Sequence, residues 1–209
     1  NTIVVGAVKD ETSGIGTYGV VYVYDREGNN FNEVGILTGT YATDSGDYFG
    51  SSVATSADGK TIIVGARQDG TSGIGTNGLV YVFDRVGNNF NEVGILTGSL
   101  DLDHGNIPGF GIAVATSADG KTIVVGDSAA NFDNPQFSFG HGVVYVFDRE
   151  GNNFNEVGIL TGTYASNSWD SFGMDVATSA DGKTIVVGAQ SDELPGFSNT
   201  GVVYVFDRV

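Results

Sequence analysis

One stretch of this chain limits its fold more than any other, because it is written three times. The run Val-Ala-Thr-Ser-Ala-Asp-Gly-Lys-Thr-Ile at 53–62 returns at 114–123 and 176–185. Gly-Asn-Asn-Phe-Asn-Glu-Val-Gly-Ile-Leu-Thr-Gly at 28–39 returns at 87–98 and 151–162. Tyr-Val-Phe-Asp-Arg begins at Tyr81, Tyr145 and Tyr204, and Tyr-Val-Tyr-Asp-Arg at Tyr22. Phe-Gly pairs stand at Phe49, Phe110 and Phe172, 61 and 62 residues apart. A fixed period of this size marks a repeat architecture, in which one unit cannot bury its hydrophobic face alone and neighbours must cover it.

Each unit reads as four short strands. In the second unit they are a (52–55), b (61–65), c (79–83) and d (92–96), all rich in β-branched or aromatic residues and bounded by turn residues. Asp58-Gly59 predicts the a–b hairpin and Gly87-Asn88-Asn89 the c–d turn. No segment shows helical periodicity. Strands b and c are apolar nearly throughout, as central strands covered on both faces should be. Gly65, Ala66 and Gly94 leave room for close approach between units. The expected fold is all-β: a β-propeller of four-stranded antiparallel blades, with about 60 residues per repeat. A β-solenoid competes, but its coils are usually much shorter.

The order Phe49-Gly50, Ser52-Val53-Ala54, Ile63-Val64-Gly65-Ala66 and Gly78-Leu79-Val80-Tyr81-Val82-Phe83 resembles FG-GAP repeats. These are the units of the integrin α-subunit head and of many bacterial surface proteins. The resemblance covers essentially the whole chain and implies a propeller at the cell surface or outside the cell. It says little about function, because one fold hosts many functions. Integrin-type repeats often hold calcium between strands a and b. Here that connection is Ser56-Ala57-Asp58-Gly59-Lys60, and one carboxylate beside a lysine does not supply six to eight oxygens. No metal and no cofactor is expected.

The strand count is fourteen, in units of three, four, four and three, or about 3.5 blades. The segments run 1–47, 48–108, 109–170 and 171–209, read as one propeller domain or an arc of one; the first lacks strand a and the last lacks strand d. The chain opens on Asn1 with no initiator Met. The expectation is a processed, cut or incomplete N terminus, in a piece of a longer array or in copies that associate through open blade ends.

With 9 basic and 25 acidic residues the formal charge is −16, which repels phosphate backbones and argues against nucleic acid. No apolar run reaches the length that spans a bilayer as a helix, so no membrane insertion is expected. The absence of cysteine excludes disulfides and thiolate chemistry.

Antiparallel order puts the a–b and c–d turns at one end of each blade, and these are nearly invariant from unit to unit. The other end varies. Its b–c loops are 8–18, 67–77, 127–141 and 190–200; its d–a loops are 40–48, 99–109 and 163–171. Loops on a rigid scaffold commonly carry binding, although tolerant loops also drift, and the residues leave both readings open. The candidate ligand-binding residues are the non-recurring loop aromatics Tyr18, Phe132, Phe137, Phe139, Trp169 and Phe197, which suit stacking on a sugar or anchoring a protein. Tyr41 and Tyr164 recur and read as structural, as do Phe49, Phe110 and Phe172.

The loop carboxylates Asp44, Asp47, Asp69, Asp101, Asp103, Asp133, Asp170, Asp192 and Glu193 lack metal-ligand spacing and read as solvated or turn-forming acids. His104 and His141 belong to no nucleophile motif. Gly14-Ile15-Gly16 and Gly73-Ile74-Gly75 open no helix, so a dinucleotide site fails. No catalytic residue is assigned and no enzyme is expected. The expected role is a non-catalytic adhesion module whose variable rim recognises an unidentified protein or glycan. The alternative is a self-assembling part of a surface layer, filament or virus particle, with an enzyme third.

Overall fold

The computed structural model describes residues 2–10, 19–44, 46–70, 78–100, 109–130, 140–164, 170–194, 196–197 and 200–208. They form fourteen strands in four antiparallel sheets. The first sheet holds β1 (Thr2–Ala7), β2 (Val20–Glu27) and β3 (Asn30–Leu37). The second holds β4 (Phe49–Thr55), β5 (Thr61–Ala66), β6 (Leu79–Val86) and β7 (Asn89–Leu96). The third holds β8 (Phe110–Thr116), β9 (Thr122–Asp127), β10 (Val143–Glu150) and β11 (Asn153–Leu160). The fourth holds β12 (Phe172–Thr178), β13 (Thr184–Ala189) and β14 (Val202–Asp207). Strand order follows chain order in every sheet. The strands run longer than the sequence suggests: the Phe-Gly pair belongs to strand a, and Asn89 opens strand d.

The Phe-Gly pair earns its place through a bulge. Pairing of β4 with β5 jumps from Phe49↔Ala66 to Ser52↔Gly65, and the same jump recurs at Phe110/Ala113 and Phe172/Asp175. Gly50, Gly111 and Gly173 sit inside it at φ +85°, +83° and +85°, a conformation that suits only glycine well. Each of them turns its carbonyl onto a bare glycine of the preceding sheet. A Cβ on Gly6, Gly65 or Gly126 would lie 2.0, 2.2 or 2.0 Å from that oxygen.

The sheets pack in chain order, the front of one against the back of the next. Val21 and Val23 of the first sheet meet Phe49, Ile62, Val64, Tyr81 and Phe83 of the second. Ile63, Val80 and Val82 meet Phe110, Ile123, Val125, Tyr145 and Phe147. Val124, Val144 and Val146 meet Phe172, Ile185 and Val187. Each phenylalanine of a Phe-Gly pair lies edge-on to a strand-c tyrosine, at 5.3 Å for Phe49–Tyr81 and Phe110–Tyr145 and 5.2 Å for Phe172–Tyr204. Strands b and c of the two middle sheets are buried along both faces, as their composition requires. β13 is buried only at every second residue and β1 and β14 at none, because their sheets are covered on one face and β1 and β14 are also edge strands. This stacking of antiparallel sheets is that of propeller blades.

Candidate functional site

The two rims are built on different principles. At the invariant rim, the a–b connection folds on its own side chains. Ser56 Oγ donates to Asp58 Oδ1 at 2.8 Å, and Lys60 N donates to the same oxygen at 3.0 Å. Adjacent turns are tied to each other: Ala57 N donates to Ala118 O and Ala118 N to Ala180 O, both at 2.9 Å. An arginine near the end of strand c reaches back to the aspartate of the preceding sheet. Arg85 grips Asp25 at 2.7 and 2.6 Å, Arg149 grips Asp84 at 2.8 and 2.5 Å, and Arg208 reaches Asp148 at 2.6 Å. The Arg85 hydrogen bonds hold the Asp25 carboxyl below its ordinary range. The serine, aspartate, alanine and arginine that recur at this rim thus have structural tasks.

At the variable rim, the loops differ but their bases are alike. Strand b is followed by a tight turn, closed by Asp10 N to Ala7 O at 3.1 Å, Asp69 N to Ala66 O at 3.0 Å, Ala130 N to Asp127 O at 3.4 Å and Asp192 N to Ala189 O at 3.3 Å. The loop then returns to a glycine before strand c: Gly78 N donates to Asp69 O, Gly142 N to Ala130 O and Gly201 N to Asp192 O, at 3.1, 3.0 and 3.0 Å. Beneath this clamp the strand-c tyrosine donates to the turn aspartate. Tyr22 reaches Asp10 at 2.6 Å, Tyr81 reaches Asp69 at 2.5 Å, and Tyr204 reaches Asp192. Burial, and then the bond to Asp69, pushes the Tyr81 hydroxyl far up, so it stays a donor at any physiological pH. The Tyr204 hydroxyl is pushed up to about 12 for the same two reasons.

The third unit differs. The turn position holds Ala130 instead of aspartate, and the last residue of strand b is Asp127 instead of alanine. Asp127 is buried, and its charge adds to burial in raising Tyr145. Its Oδ1 lies 2.1 Å from where a Cβ on Gly109 would stand, so glycine is needed where the other units carry Tyr48 and Ser171.

Several sequence expectations are corrected here. Asp47, Asp69, Asp170 and Asp192 are not solvated acids; they are 7%, 1%, 2% and 0% exposed. Asp47 does form a turn, accepting Asp44 N at 2.7 Å, and burial raises its carboxyl. Its carbonyl accepts Gln68 N at 3.2 Å, and that of Asp170 accepts Ser191 N at 3.3 Å, which joins each d–a loop to the next b–c loop. The Asp–Tyr pairs were legible in sequence: aspartate and tyrosine are 12 residues apart in three units. His141 Nδ1 lies 3.9 Å from Asp170 Oδ2, a contact between the third b–c loop and the loop that leads into the fourth sheet.

Of the six candidate ligand-binding aromatics, Tyr18, Phe132, Phe137, Phe139 and Trp169 lie outside the described residues. So do Asp101, Asp103, Asp133 and His104. Phe197 is described and is 64% exposed on the last b–c loop. Tyr41 packs on the cluster around Tyr81, in keeping with a structural role. Tyr164 is 42% exposed. Among the described residues, no group of three or more His, Asp or Glu side chains gathers to hold a metal.

Replacing Tyr81 by phenylalanine removes the hydroxyl that donates to the buried Asp69 carboxylate. The expected cost is about 2 kcal/mol, read as a lowered urea midpoint, with the loop base loosened in hydrogen exchange around Gly78.

The fold places the chain among β-propellers, with four sheets of three or four strands packed as blades. It is similar to TolB from Acinetobacter baumannii at 16% identity and TM-score 0.51, over 98% of this chain and 38% of that one. It is similar to the periplasmic gluconolactonase PpgL of Pseudomonas aeruginosa at 16% identity and TM-score 0.55, over 99% and 49%. A putative 6-phosphogluconolactonase from Bacteroides fragilis gives 15% identity and TM-score 0.54, over 91% and 45%. At these identities the likeness is one of fold alone, and the chain spans less than half the length of each. Residues 35–83 and 158–206 match the FG-GAP repeat family, each match running from strand d of one unit through strand c of the next. No curated protein matches the chain in sequence.

Proposed function

We propose that this protein is a non-catalytic binding module of the cell surface or the extracellular space, recognising a protein or glycan through the variable b–c and d–a loops of one rim. The observation that carries the reading is the contrast between rims. Recurring residues at the invariant rim make contacts within and between blades, whereas three of the variable b–c loops stand on a repeated Tyr–Asp base that holds different sequences on one platform. A stiff base lowers the ordering cost that a binding loop meets when it engages a ligand. Phe197, exposed on such a loop, is the kind of side chain that stacks on a sugar or fills a pocket on a protein.

The test is binding to immobilised glycan and extracellular-protein arrays. A specific hit whose affinity falls about tenfold or more in Phe197→Ala or Trp169→Ala, at unchanged Tm, supports the reading. A hit indifferent to both changes, or no hit on either array, sinks it.

A second reading, a structural component that assembles through its blade faces, is favoured by one observation. Val203 and Val205 of the last sheet are 67% and 64% exposed, although valines at the same positions of the earlier sheets are buried.

A further inference from the structure

Three junctions between sheets repeat one set of contacts, and half of that set stands open at each end of the stack. On the front face, Val21, Val23, Val80, Val82, Val144 and Val146 are at most 3% exposed because the next sheet covers them. Their counterparts Val203 and Val205 on β14 are open. On the back face, Ile62, Val64, Ile123, Val125, Ile185 and Val187 are all wholly buried against the preceding sheet. Their counterparts Ile3 and Val5 on β1 are 38% and 46% exposed.

The charges follow the same series. Arg85, Arg149 and Arg208 each pair with an aspartate of the sheet before, namely Asp25, Asp84 and Asp148. The two residues of the series without such a pairing among the described contacts are Arg26 on the first sheet and Asp207 on the last. Arg26 already holds the posture of its counterparts. Its Nε donates to Gly28 O at 2.9 Å and its guanidinium lies over the Phe31 ring at 5.8 Å, as Arg85 donates to Gly87 O at 2.8 Å and lies over Phe90 at 5.3 Å.

We propose that the front face of the β12–β14 sheet docks the back face of the β1–β3 sheet of a second copy, head to tail, with Arg26 of one copy paired to Asp207 of the other. The apolar strips Val203/Val205 and Ile3/Val5 meet as they do at the internal junctions, and the ion pair sets the register. The contact is heterologous, so it adds copies until a ring closes or a filament grows.

This inference deepens the assembly reading, and charge reversal tests it on the chain itself. Sedimentation equilibrium from about 1 to 100 µM should show mass rising with concentration. Asp207→Arg and Arg26→Asp should each weaken association about tenfold or more, because each places like charges in register. Mixing the two variants should restore it, since each then meets an opposite charge at both junctions; a folding defect has no such rescue. A monomer at every concentration overturns both the junction and the assembly reading. Association that ignores both reversals, or mixing without rescue, overturns the junction and leaves assembly through another surface. None of these outcomes bears on the rim, whose residues lie on neither face.

Discussion

Gly126→Ala is expected to cost about 3 kcal/mol, or to abolish cooperative folding, although it adds one methyl group. That methyl would stand 2.0 Å from the Gly173 carbonyl oxygen. The methyl would be fixed to the backbone of β9 and the oxygen belongs to the bulge of β12, so relief requires the third and fourth sheets to part. Parting them exposes Val124, Val144, Val146, Ile185 and Val187, each worth about 1.5–3 kcal/mol when fully buried. The control is built into the repeat. Gly188→Ala makes the same change one unit later, where the nearest atom is Asp175 Cβ at 3.6 Å, and should fall within about 0.5 kcal/mol of the parent. Urea midpoints of the two variants check the pair. Equal losses would mean that the contact with the Gly173 carbonyl is not what excludes a side chain at Gly126.

Phe110→Ala should cost about 3–5 kcal/mol. The ring is 2% exposed and sits edge-on to Tyr145 at 5.3 Å and Phe147 at 6.4 Å, in the cluster that joins the second and third sheets. It is a plug between two sheets. Calorimetry should show a lower Tm and, if the chain divides there, two transitions where the parent has one.

Sequence reached the fold because the repeat compares the chain with itself. Val-Ala-Thr, Ile-Val-Val-Gly and Val-Val-Tyr-Val-Phe recur with turn residues at fixed offsets, so strand order followed without an alignment. Boundaries slipped where local chemistry misleads. Asn89, Phe90 and Asn91 look like a turn, yet they pair with β6 because Phe90 is needed over Gly35 of the preceding sheet. The site was legible only as a place. Loop variation pointed to one rim, but the acids there were misread, because an aspartate beside loop residues looks solvated until its tyrosine partner, 12 residues on in the chain, is brought beneath it. The Asp127–Ala130–Gly109 rearrangement was harder still. It breaks the recurring pattern at three places at once, and only spatial proximity shows that these are one change.

The arginine that reaches back one sheet has a further consequence. Each pair ties a unit to its predecessor and to nothing else, and every unit carries one arginine for the sheet behind and one aspartate for the sheet ahead. The third unit keeps its own rearranged carboxylate, alanine and glycine within 109–130, so it travels as a self-consistent cassette. Insertion or loss of one whole unit therefore leaves the arginine–aspartate pairing between the remaining units intact. A gene of this design can lengthen or shorten by unequal recombination between its near-identical segments, while its rim loops diversify independently of the joints that hold the array together.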